Sequence, residues 1–165
     1  MTEKDKKPTG KKISVGTPPA ENVAPLLGAL RQLIADSRQQ VLRAVDVVQV
    51  RTYWHIGRHI VEFEQGGAQR AAYGRGLLVR LGQALTAEFG RGFEERNLRN
   101  MRAFYVSFPN WNALRSELSW THYRLLLRVD SAEARQWYVQ EAATQNWSTR
   151  ALDAKLAACT TSASC

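Results

Sequence analysis

The chain has 165 residues, 44% of them hydrophobic, and carries a formal net charge of +8. That length accommodates one ordinary domain with its own core and excludes two large ones. The positive balance favours a polyanionic partner or an anionic surface over an acidic substrate.

The charge is unevenly spread: Lys4, Lys6, Lys7, Lys11 and Lys12 lie within the first twelve residues, whereas all the arginines follow residue 30. Arginine suits phosphate oxygens and guanine edges, although a GC-rich coding sequence would also enrich it. Residues 1 to 22 combine these lysines with Pro8, Pro18 and Pro19 and have almost nothing to bury, so a disordered basic arm is expected. No apolar run follows the lysines, and none approaches the roughly 18 residues of a membrane span. Neither a signal peptide nor a membrane partner is expected, and the protein is expected to be cytoplasmic. Cys159 and Cys165 have no metal-ligand spacing and fit a reducing compartment; residues 159–165 read as a disordered tail.

From Pro25, Leu26, Leu30, Leu33, Ser37, Val41, Ala44 and Val48 recur at near-heptad spacing, which predicts a helix. The pattern continues through Tyr53, Ile56, Ile60 and Phe63 until Gly66-Gly67. Forty helical residues would span about 60 Å, longer than a compact domain of this size. The helix should therefore be kinked or pack against another chain. Val47, Val50, Trp54 and Val61 make its second half apolar on more than one face, which suggests a homo-oligomer through residues 26–65. His55, His59 and Glu62 share a helical face and could approach a zinc ion, but no fourth ligand is evident and no HExxH pattern is present, so no metal is expected.

Residues 77–108 read as two helices around a glycine-rich turn. Leu77, Leu78, Leu81 and Leu85 form one apolar stripe, Phe89-Gly90-Arg91-Gly92-Phe93 interrupts it, and Leu98, Met101, Tyr105 and Phe108 resume it. A helix from Glu94 to Val106 would expose Arg96, Arg99 and Asn100, as a helix-turn-helix presents a recognition helix to the major groove, although any packed helical hairpin shares the pattern. With Gly90 as the turn glycine, Leu98 and Met101 fall two residues late, so the turn must be longer than the standard one.

Pro109 ends that helix, and residues 109–118 form a loop. Three short helices follow, at 120–129, 132–145 and 149–158, each preceded by a serine suited to capping: Ser119, Ser131 and Ser148. They offer a second candidate helix-turn-helix, with Arg150 and Lys155 exposed on its last helix. No strand pattern is defensible, so the fold is all-α: a long N-terminal helix followed by a helix-turn-helix-containing bundle over residues 23–158.

Reactive constellations are absent. There is no Walker loop, GxSxG elbow or HxE with paired cysteines, and Gly74-Arg75-Gly76 and Gly90-Arg91-Gly92 are too short for a nucleotide fingerprint. No cofactor, small-molecule substrate or catalytic residue is expected.

Several motifs in order resemble a known family: Tyr53-Trp54-His55-Ile56-Gly57, Ala72-Tyr73-Gly74, Phe89-Gly90-Arg91-Gly92-Phe93, Asn97-Leu98-Arg99-Asn100-Met101-Arg102-Ala103-Phe104-Tyr105, Phe108-Pro109, Leu118-Ser119-Trp120-Thr121-His122-Tyr123 and Trp147-Ser148-Thr149-Arg150-Ala151-Leu152. Across roughly residues 30 to 156 the chain resembles the N-terminal domain of the YhcG family of bacterial proteins. The resemblance implies a helical, DNA-binding domain that normally precedes a PD-(D/E)xK nuclease-like domain, with DNA cleavage or processing as the activity of a full-length relative. No residue here matches the nuclease motif and the sequence ends at Cys165, so the catalytic domain is expected to be missing and the chain is expected not to be an enzyme. The segment from the helix-turn-helix to Leu152 is also similar, by analogy, to the DNA-binding core of ParB-type partition proteins.

The resulting expectation is a module for duplex DNA. Arg96, Arg99 and Asn100 would reach bases or phosphates, and Arg91, Arg102, Arg124 and Arg150 would contact the backbone. The alternative is an interaction or oligomerisation module acting through the long N-terminal helix.

Overall fold

The computed structural model describes residues 24–66 and 74–161; the expected basic arm and Cys165 lie outside them. Among the described residues six α-helices occur in the order α1 (Ala24–Gln65), α2 (Gly74–Phe89), α3 (Glu95–Ser107), α4 (Trp120–Leu126), α5 (Ala132–Thr144) and α6 (Thr149–Thr161), with one 3-10 turn at Trp111–Ala113. The described residues contain no strand, and the fold is all-α. The chain divides into two compact units, Met1–Arg38 and Gln39–Cys165.

In the first unit, the described residues are the opening of α1, whose Leu26, Leu27, Leu30, Leu33 and Ile34 are all exposed. The second unit contains the core, with α3 at its centre: Leu98, Met101 and Phe104 are completely buried, as are Tyr123 and Leu126 of α4 and Leu152 of α6. Phe104, Phe108, Trp120 and Tyr123 pack ring against ring, with Phe104 and Tyr123 centroids 4.8 Å apart.

The second half of α1 joins this core through Val50, Tyr53, Trp54, Ile60 and Val61. A glycine permits that approach. A Cβ on Gly57 would lie 2.0 Å from the Met101 carbonyl oxygen, so the α1 and α3 backbones meet where only hydrogen fits. The Trp54 indole Nε1–H then donates to the Phe108 carbonyl at 2.7 Å, fixing the end of α3. Apolar character on several faces of this half of α1 therefore reflects packing within the chain, contrary to the expectation that it marks a partner. The unpartnered apolar residues lie earlier in the helix. α1 itself is one uninterrupted helix of 42 residues.

The serine caps are present at all three predicted positions. Ser131 Oγ accepts from the Ala134 N–H and Ser148 Oγ from the Ala151 N–H, both at 3.2 Å. Ser119 caps differently: its backbone N–H donates to His122 Nδ1 at 3.2 Å, so histidine takes the place of the usual glutamate in a capping box. Helix α4 is shorter than the predicted 120–129 stretch, ending at Leu126 before a turn, and α6 continues three residues beyond Ala158.

Candidate nucleic-acid interface

The turn between α2 and α3 runs from Gly90 to Glu94, longer than the standard helix-turn-helix connection, as the spacing of Leu98 and Met101 requires. Gly90, at φ 83°, closes α2 by donating its N–H to the Thr86 carbonyl at 3.0 Å. Gly92, at φ 108°, bends the chain back over Tyr53, and its N–H donates to Glu94 Oε2 at 3.0 Å. Beneath the turn, Tyr53 packs edge-on against Phe93 and Trp120.

Asn97 ties this turn to α4. Its Nδ2 donates to the Gly92 carbonyl, while its Oδ1 accepts from Trp120 Nε1 at 3.1 Å. Turn, α3 and α4 therefore enclose a shallow depression of about 430 Å³, lined by Tyr53, Gly92, Glu94, Arg96, Asn97, Asn100, Trp120 and Arg124. Arg96 and Asn100 are one helical turn apart on α3 and face the same way, and Arg124 arrives from α4. Among the described residues, neither Arg96 nor Arg124 has a carboxylate within ion-pair distance.

The other predicted contact residues are placed differently. Arg99 is exposed outside the depression and pairs with Glu95 on its own helix. Arg102 bonds Glu64 of α1 at 2.6 Å, so its guanidinium holds two helices together. Arg91 is exposed in the turn and Arg150 in the first turn of α6; neither lines the depression. Lys155 is exposed on the last helix as expected, with its Nζ 4.4 Å from the Trp147 ring centroid, and Asp153 on the same helix pairs with Arg128 at 2.9 Å.

The position of α6 is set by His122. Its Nε2 lies 2.9 Å from the Trp147 carbonyl, which can only accept, so the proton resides on Nε2. Nδ1 is then the acceptor for the Ser119 N–H and for the Ser119 hydroxyl at 2.8 Å. This half-buried serine–histidine contact caps α4 and anchors the start of α6, using both ring nitrogens. His55, His59 and Glu62 are not drawn to a common point: the His55 ring stacks on Trp111 at 6.4 Å and Glu62 pairs with Arg58 at 2.7 Å. Among the described residues no three His, Cys, Asp or Glu side chains gather as metal ligands, and no helix is long and apolar enough to cross a membrane.

Asn97 and His122 are the organising residues that the sequence reading did not single out. Ser119 three residues before His122 was a usable signal, because that is capping-box spacing; nothing local to Asn97 marks its bond to Trp120.

Residues 29–160 match the family model described as "DUF1016 N-terminal domain". Over 157 residues the chain is 34% identical to the protein called "Putative nuclease YhcG" of Escherichia coli (strain K12), a match covering 76% of this chain and 42% of that protein. The chain thus spans less than half the length of that relative. No solved structure matches it. The ordered motifs from Tyr53 to Leu152 are accordingly those of kin, and the chain belongs to the DUF1016 N-terminal domain family, the family of the YhcG N-terminal region.

Proposed function

We propose that this domain binds duplex DNA across the face formed by α3, the α2–α3 turn and α4. The observation that carries the reading is the convergence of Arg96, Asn100 and Arg124 on one depression, with no carboxylate of the described residues paired to either guanidinium group. Arginine pairs with phosphate oxygens or a guanine edge, and asparagine with an adenine edge, so this trio suits a backbone strand and the groove beside it. The net charge of +8 and a relative whose name is that of a nuclease, an enzyme acting on nucleic acid, support the same conclusion. Arg99 flanks the trio and can exchange Glu95 for phosphate; Arg91 and Arg150 extend the basic surface. Arg102 is left out, since Glu64 engages it. In this reading the domain binds and does not cut: half-buried Ser119 and buried His122 are both engaged in a helix cap, and the catalysis implied by the relative's name would belong to a partner domain or subunit.

The test is duplex DNA binding by fluorescence anisotropy across a salt series. Affinity should fall steeply with salt, and removing both Arg96 and Arg124 should flatten the slope of log Kd against log salt by about two units. Arg102→Ala should leave the slope unchanged. Absence of binding at low salt, or equal effects of all three arginines, would refute the interface.

A second reading, an interaction module acting through α1, is favoured by a specific observation. Nine large apolar side chains between Leu26 and Val48 are 43% to 66% exposed.

A further inference from the structure

The exposed residues of α1 follow a finer rule than a heptad. Leu26, Leu30, Leu33 and Ser37 are spaced by four, three and four residues, and Ser37, Val41, Ala44 and Val48 repeat those steps. The period is eleven residues over three turns, about 3.67 per turn, which keeps a seam on one face of a nearly undistorted helix. Ile34 and Val45, also eleven apart, widen that seam. Val50 and Trp54, which pack into the core, fall on the opposite side of the helix from Val41, Ala44 and Val48, so burial of one face there leaves the other accessible.

We propose that the seam is covered by α1 of a second copy of this chain, parallel and in register, forming a two-stranded coil centred on Ser37. The proposal deepens the second reading above and rests on it. Charge selects both the partner and its direction. With the copies parallel, Asp36 of one lies beside Arg38 of the other on each side of the Ser37 layer; reversing one copy about Ser37 instead sets Asp36 beside Asp36 and Arg38 beside Arg38. Ser37 and Ala44 are the small members of the seam and let the helices approach. Covering most of the exposed apolar surface on both copies removes on the order of 1,000 Å² from water, the lower edge of specific interfaces.

Sedimentation of the full chain tests this, and the expected species has twice the chain mass. Leu33, 62% exposed, makes no core contact, so Leu33→Glu should raise the dimer dissociation constant at least about tenfold while leaving the helical circular dichroism intact. Asp36→Arg and Arg38→Asp should each weaken the dimer, and the double exchange should restore it. In a background with Cys159→Ser and Cys165→Ser, Leu26→Cys should cross-link to itself on oxidation. A monomer at every concentration would overturn this proposal and leave the second reading to a partner of a different sequence. A dimer indifferent to Leu33→Glu, or one in which Leu26→Cys cross-links only to Val48→Cys, would overturn the parallel seam while leaving self-association standing.

Discussion

Two stretches of α1 have similar apolar content and opposite fates. From Leu26 to Val48 the large apolar residues are aliphatic and, apart from half-buried Val47, exposed; from Val50 to Val61 the stripe includes Tyr53 and Trp54 and is buried. The difference is one of shape more than hydrophobicity. The second stretch has aromatic rings with polar tips, which Trp54 uses on Phe108, and a glycine at the point of closest backbone approach. The first has branched aliphatic side chains on a regular repeat, the form of a surface that meets another helix along its length.

The most severe way to break this comparison is to fill the glycine gap. Gly57→Ala would push a methyl group against the Met101 carbonyl and should destabilise the domain by about 3 kcal/mol or more, read from the denaturant midpoint. A milder probe is pH. Burial pushes the Tyr123 hydroxyl up to about 12, and in the core it accepts from the Arg115 N–H at 2.8 Å. The unfolded chain ionises this tyrosine near pH 10, so its contribution is intact below that pH and is lost as pH rises toward 12. Roughly 2 kcal/mol of stability should disappear across that window, and Tyr123→Phe should remove this part of the pH dependence. The smallest effect belongs to the first stretch. A Cβ on Gly28 meets nothing within 4 Å, so Gly28→Ala should raise thermal stability or helicity slightly, by about 0.5–1 kcal/mol. A loss of stability there would show that the first stretch is packed after all.

The local structure was largely legible in the sequence because caps and turns are local chemistry. Ser131 and Ser148 announce their helices, and Gly90 and Gly92 announce a turn that needs positive φ. The pairing of Arg96 with Asn100 on one face follows from spacing alone. The arrival of Arg124 beside them does not, because it depends on how α4 crosses α3. Arg102 was misleading for a related reason: the spacing that places it on α3 is silent about Glu64, 38 residues earlier, which waits on the neighbouring helix. The apolar second half of α1 gave the same ambiguity, since hydrophobic periodicity marks a face to be covered without naming the cover.

The amide of Asn97 has a mechanical consequence. By holding the Gly92 carbonyl with its nitrogen and the Trp120 indole with its oxygen, it removes the freedom of the turn and of α4 to move separately. A tilt of α4 must drag the turn with it, so that segment of the chain behaves as a single moving body whose two arginine-bearing edges keep a fixed gauge.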